Sequence, residues 1–163
     1  MGRWKLLWDG AAEAEVDATP QQVWAVLSDV PRVGEWSHEC HSASWLEGHH
    51  EAKVGAVFTG SNKTGRTRWS RRCTITEAEP AKSLAYRTSG GFPSDSTEWR
   101  FVLEALPSGG TRIRQSFRVL KLARPMEAVI YLFVPQHRDR REALKTDLVR
   151  LGAVAAGRAT SLR

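Results

Sequence analysis

Strand parity gives Arg71 the first chemical claim on this sequence. In the run 68–76, Trp69, Arg71, Cys73 and Ile75 share one face at period two, and the apolar members mark that face as the inner one. An inward guanidinium beside Trp69 is an enclosed cation that can pair with a ligand oxygen or an enolate. Otherwise Arg71 pairs with a buried carboxylate or reaches solvent at a sheet edge and has no catalytic part. His137 is a second candidate. Helical spacing stacks it above Arg141 and Leu144, where it reads as a general acid/base at a pocket mouth or as a helix-start histidine bonded to solvent. Histidines also gather as His38-Glu39-Cys40-His41 and His49-His50, ligand types that suit zinc. They lack the pair spacing of a zinc module and fall in polar loops, so they read as surface histidines and no metal is expected. The sequence holds no recognisable Ser/His/Asp or Cys/His nucleophile set and no Gly-rich phosphate loop.

The elements that must position these groups are led by a hairpin. Thr97 to Glu104 and Thr111 to Val119 both alternate with period two around the turn signal Pro107-Ser108-Gly109-Gly110. If Ala105 opposes Thr111, Trp99 faces Phe117, Phe101 faces Gln115 and Leu103 faces Ile113 on one side, while Glu98 faces Arg118 and Glu104 faces Arg112 on the other. One surface is then ion-paired and solvated. The other carries large rings with a lone amide, which suits a wall that lines a ligand.

Before the hairpin, Ala11 to Asp17 reads as a strand with one wet face. Thr19-Pro20-Gln21-Gln22 then opens a helix with a capping box, and Val23, Trp24, Val26 and Leu27 form its packing surface. Pro31 to Trp36 predicts a second short helix, so the pair forms a lid-like insertion. Ser42 to Leu46, Val57 to Lys63, Arg68 to Thr76 and Ser83 to Arg87 predict four further strands. Strand follows strand, so the pairing is expected to be antiparallel, about seven strands in one meandering sheet. Pro125 to Val134 is read as a helix packing Met126, Val129, Ile130 and Phe133 over the sheet, ended by Pro135. Gln136 to Ala156 predicts one long helix whose apolar stripe, Leu144, Leu148, Leu151 and Ala155, turns polar backwards at Arg141 and His137. That polar end is expected to meet a cavity.

Length and charge bound the rest. At 163 residues the chain fits one domain, expected over 11–156 between an N-terminal extension 1–10 and a tail 157–163. Cys40 and Cys73 stand far apart, and the apolar stretch within Met1 to Trp8 is too short for a secretory signal, so free thiols and a cytoplasmic location are expected. The longest apolar run, Ala128 to Val134, is far short of a membrane span. Net charge is +6 and uneven: residues 1–99 hold 11 Lys/Arg against 13 Asp/Glu, and residues 100–163 hold 13 against 5. That basic surplus reads as a solvated face with an Arg-rich helix. It leaves room for weak contact with an acidic surface but comes without a nucleic-acid motif.

Strand, two short helices, six strands and a long C-terminal helix is an order that resembles the START/Bet v 1-like (SRPBCC) helix-grip superfamily. The run Asp17 to Asp29 followed by Glu35-Trp36 is similar to the opening of its polyketide cyclase/dehydrase and lipid-transport branch. Gly55 with Phe58, then Trp69, Cys73 and Glu77-Ala78-Glu79-Pro80, is similar to the middle of that branch. The resemblance spans about residues 11–156 and is specific for fold rather than activity. It implies an α+β helix-grip fold, a curved antiparallel sheet wrapped around the last helix and enclosing a cavity.

In cyclase members a cavity arginine and nearby hydroxyls are thought to orient the polyketide, which implies Arg71, Tyr86 and Gln115 as the analogous residues here. Tyr86 and Gln115 satisfying one another is the plainer alternative. A pocket would be lined by Trp36, Phe58, Trp69, Trp99, Phe101, Gln115, Phe117, Ile130, Phe133 and Arg141, although the same rings could fill a core. The leading expectation is a carrier of a small hydrophobic molecule, lipid-like or polyketide-like, with no cofactor, as monomer or homodimer. A polyketide aromatase/cyclase using Arg71, Tyr86 and His137 is the enzymatic alternative. A basic-surface interaction module is the third.

Overall fold

The computed structural model describes residues 5–90 and 95–157, and within it the hairpin stands in the register that keeps its two faces in phase. Strands β6 (Asp95–Ala105) and β7 (Thr111–Lys121) pair Trp99 with Phe117, Phe101 with Gln115, Leu103 with Ile113 and Ala105 with Thr111. Phe101, Leu103, Ile113, Gln115 and Phe117 are buried, whereas Arg100, Val102, Glu104 and Arg114 point to solvent or half-expose themselves. Arg112 donates to both Glu15 (2.9 Å) and Glu104 (3.3 Å), and Arg114 to Glu13 (3.2 Å). Glu98 stands opposite Arg118 in the β6–β7 ladder as expected, and its carboxylate pairs with Arg87, its neighbour on the other flanking strand, at 3.3 Å. Such exposed pairs each contribute roughly 0–1 kcal/mol, so the hydrophobic face rather than the charges holds this sheet.

The other strands are β1 (Asp9–Val16), β2 (Cys40–Trp45), β3 (Val57–Thr64), β4 (Thr67–Glu79) and β5 (Ser83–Gly90). All seven form one antiparallel sheet in the order β1-β7-β6-β5-β4-β3-β2. Strands 1 and 2 therefore lie at opposite edges. The chain between them must cross the whole sheet, and it does so as α1 (Pro20–Leu27) and a 3-10 helix (Val30–Glu35). The predicted capping box is present: Thr19 Oγ1 accepts from the Gln22 amide at 3.2 Å, and Gln22 Oε1 accepts from the Thr19 amide at 2.8 Å. Val23, Val26 and Leu27 bury against the core.

The C-terminal part follows two helices, α2 (Arg124–Phe133) and α3 (Arg141–Ala155), separated by a 3-10 turn, Pro135–His137. One continuous helix from Gln136 was expected. Asp139 interrupts it, because its Oδ1 accepts from the Arg141 amide at 3.0 Å and so begins α3 afresh. Helix α3 packs on β1 and α1 through Leu144, Leu148 and Leu151. Gly152 allows that approach, since a Cβ there would lie 2.3 Å from Val16 Cγ1. A curved sheet closed over its last helix is the helix-grip arrangement.

Helix α2 corrects a second expectation. None of its residues is fully buried, and Val129, Leu132 and Phe133 turn outward, with Phe133 75% exposed. The helix is tethered instead through Glu127, whose Oε1 accepts from the Leu6 amide (2.9 Å) and the Trp8 indole N–H (2.8 Å). Residues 1–4 of the expected N-terminal extension and 158–163 of the expected tail lie outside the described residues. No helix among the described residues is long and apolar enough to cross a membrane.

Candidate functional site

The concave face of the sheet, the 3-10 helix Val30–Glu35, α2 and α3 line a partly open cavity of about 340 Å³. Its apolar wall is built by strand parity. Trp99 and Phe101 on β6, Phe117 on β7, Leu84 on β5 and Phe58 on β3 face inward, and Trp36 closes the side beneath the lid. The rings brace one another edge to face: Trp36 on Phe101 with centroids 5.9 Å apart, and Phe58 on Tyr86 at 5.3 Å. Met126 and Ile130 of α2 supply the opposite side.

Charged groups from three elements converge on the same cavity. Asp147 on α3 is buried, and its carboxylate accepts from the His38 backbone N–H at 2.9 Å and sits 2.6 Å from His38 Nδ1. His38 Nε2 lies 3.7 Å from Glu39 Oε2. The other Glu39 oxygen is 3.0 Å from His137 Nε2, and Arg140 reaches His137 Nδ1 at 2.9 Å. Because a guanidinium can only donate, His137 Nδ1 must accept, which leaves the ring proton on Nε2 for Glu39. Neither nitrogen of His137 is then free. The Trp69 ring stands against His137 at 5.3 Å, and the Arg140 guanidinium lies over Trp99 at 5.7 Å.

The electrostatics follow from these contacts. The Asp147 bond raises the His38 pKa against the lowering effect of burial, so the imidazolium is held more firmly than in a free histidine. Burial pushes the Glu39 carboxyl up, but the His137 bond together with the Arg140 and His38 charges outweighs it and holds Glu39 below its ordinary value. Burial pulls the Arg140 guanidinium down, opposed by Glu39. Arg71 pairs with Asp95 at 2.9 Å. Burial pushes the thiols of Cys40 and Cys73 up to about 11 and about 12, so neither is a ready nucleophile. Burial likewise raises Tyr86 well above its ordinary value and keeps its hydroxyl protonated. No group of three or more metal-ligating side chains converges among the described residues.

A family model described as polyketide cyclase / dehydrase and lipid transport matches residues 8–149. The chain belongs to this family. Solved structures agree on the START/Bet v 1-like fold. Protein CV1439 from Chromobacterium violaceum is 15% identical with a TM-score of 0.64, over 91% of this chain and 96% of that one. Ara h 8.0201 is 13% identical with a TM-score of 0.60, over 91% and 97%. SA2116 from Staphylococcus aureus, a protein of unknown function, is 9% identical with a TM-score of 0.66, over 91% and 93%. No curated protein matches the chain in sequence.

In this polyketide cyclase/dehydrase and lipid-transport domain, Arg71, Tyr86, His137, Trp36, Phe58, Trp69, Trp99, Phe101, Gln115, Phe117 and Ile130 all border the cavity. Phe133 and Arg141 do not. Phe133 follows the outward face of α2, and Arg141 pairs with Asp139 at 2.7 Å in solvent. Helix α3 starts only at Arg141, whose side chain folds back onto Asp139, and it is Arg140, just ahead of the helix, that borders the cavity. Tyr86 and Gln115 do not satisfy one another, since no hydrogen bond joins them and Gln115 Oε1 is buried without a partner. His38 and Glu39 stood out in the sequence only as zinc-type residues of a surface loop, whereas they are bonded to Asp147 and His137 at the cavity, and Asp147 was not singled out at all. A signal for Asp147 was present, because it stands three residues after Leu144 and four before Leu151, on the buried stripe itself.

Proposed function

We propose that this domain binds a small, mostly apolar molecule, lipid-like or polyketide-like, in the cavity between the sheet and its C-terminal helices. The observation that carries the reading is a space of about 340 Å³ with aromatic walls and a few enclosed polar groups, the usual make-up of a small-molecule site. Membership of a family described by polyketide cyclisation and lipid transport supports it. Trp36, Phe58, Trp69, Trp99, Phe101, Phe117 and Ile130 supply apolar contact in this reading, and Arg71, Tyr86 and Gln115 supply polar contact. Native mass spectrometry of the purified protein is the test. A bound small molecule released on unfolding is expected, and an Ile130→Trp variant that fills the cavity loses it. An unchanged occupant in that variant would place binding elsewhere.

An aromatase/cyclase acting on a poly-β-keto chain is the second reading, favoured by one arrangement. His38, oriented by Asp147, borders the same cavity as Arg71 and Tyr86, so a proton-transfer group and a cation, itself paired with Asp95, share one cavity. Product formation from a poly-β-keto substrate, lost in Arg71→Ala, would favour the enzyme. Product unchanged in that variant would remove Arg71 from the chemistry.

A further inference from the structure

Among the described residues three buried polar atoms of cavity-lining side chains lack a hydrogen-bond partner: Asp95 Oδ1 belongs to the ion pair with Arg71, and the other two, on the apolar wall, have complementary chemistry. Gln115 is only 4% exposed, and its Oε1 accepts no hydrogen bond. Trp36 is 6% exposed, and its Nε1–H donates none. Both border the cavity, and both adjoin the fully buried Phe101, which Trp36 meets edge to face and Gln115 opposes across the β6–β7 ladder. Buried polar groups are normally paired, because leaving one unpaired forfeits its hydration without return.

Resting on the proposed ligand-binding reading, we infer that Trp36 and Gln115 recognise a hydroxyl group on an apolar, ring-bearing ligand. An indole N–H can only donate, and a carboxamide oxygen can only accept. A hydroxyl answers both, with its oxygen accepting from Trp36 and its hydrogen donated to Gln115. A carbonyl or ether would serve Trp36 and leave the Gln115 oxygen buried and unpaired. A bare hydrocarbon would leave both. Discrimination of this kind is strong because it penalises the wrong ligand in addition to rewarding the right one.

The test is calorimetric titration of the full chain with three matched probes: naphthalene, 2-methoxynaphthalene and 2-naphthol. Wild type is expected to bind 2-naphthol about tenfold more tightly than 2-methoxynaphthalene, the ratio one net hydrogen bond produces. In Gln115→Leu and in Trp36→Phe that ratio falls towards one while naphthalene still binds. Thermal melting separates this role from a structural one. Gln115→Leu removes an unpaired buried group, so its Tm is expected to match or exceed that of wild type, whereas a structural Gln115 would lower it. Naphthalene and the ether binding as tightly as 2-naphthol to wild type would overturn hydroxyl recognition and leave the cavity reading intact. A tenfold ratio that survives in both variants would also overturn it, since the hydroxyl would be read by other groups. Binding of none of the three would overturn both inferences.

Discussion

His38 Nδ1 lies 2.6 Å from Asp147 Oδ2, and the same carboxylate accepts from the His38 backbone N–H, so a single buried side chain on α3 holds both the main chain and the ring ahead of β2. Beside it, Glu39 is bonded to His137. The edge of the sheet and the C-terminal helical region are thus joined at the cavity by ionisable groups whose balance depends on pH.

Stability is expected to peak between about pH 4.5 and 6.5, the ordinary values for these two groups. His38 has a raised pKa in the fold, so its contribution is complete below 6.5 and is lost as pH climbs through the higher folded value. Glu39 has a lowered pKa, so its contribution is complete above 4.5 and is lost as pH falls through the lower folded value. In Asp147→Asn the alkaline loss should flatten, and stability at pH 6 should drop by about 1 kcal/mol, a figure discounted for the half-exposed ring. Urea unfolding across a pH series checks both slopes. An unchanged alkaline slope in the variant would detach His38 from Asp147.

Gly152→Ala should destabilise the fold by about 1–3 kcal/mol, since the new methyl would overlap both Cβ and Cγ1 of Val16 within 2.4 Å. Removing the neighbour's side chain should relieve the overlap. A double-mutant cycle with Val16→Gly, which takes away Cβ as well as Cγ1, is expected to show coupling of about 1 kcal/mol or more in equilibrium unfolding. Strict additivity would mean that α3 does not lean on β1 at this point.

Phe133→Ser and Arg141→Ala should leave occupancy of the cavity unchanged, because neither residue borders it. The Phe133 change is expected to shift stability by no more than about 0.5 kcal/mol. Asp139, held down to about 2 by its bonds to Arg141, should titrate nearer its ordinary 3.8 in the arginine variant. Carboxyl chemical shifts followed through an acid titration measure this directly.

Both thiols should react slowly with a disulfide reagent in the native state, since burial raises Cys40 to about 11 and Cys73 to about 12. Unfolding in denaturant should release both at the rate of a free thiol. Rapid labelling of Cys73 without denaturant would show that β4 opens from the sheet more readily than its buried position implies.

Much of this architecture was legible in the sequence because it rests on local periodicity. Alternation in β6 and β7, together with the turn between them, specifies one register, since a slip by one residue would turn Phe101, Ile113 and Phe117 to solvent. The capping box at Thr19 is equally local. Parity likewise brought Trp69, Arg71 and Cys73 to the cavity face of β4. The errors arose where one short-range interaction overrode the pattern. Asp139 restarted the helix and drew Arg141 back onto itself, so that Arg140 ahead of the helix borders the cavity, and α2, apolar nearly all round, presented no unique face to bury.

The sequence by itself determined the strands, the sheet-forming hairpin and the aromatic inner face, because side-chain direction in a strand depends only on parity. Tertiary structure alone decided the charged end of the cavity. His38 and Asp147 are 109 residues apart, and Glu39 and His137 are 98 apart. Their meeting depends on β2 and β1 lying at opposite edges of one sheet and on α3 crossing back beneath the lid, a long-range closure that no local spacing encodes.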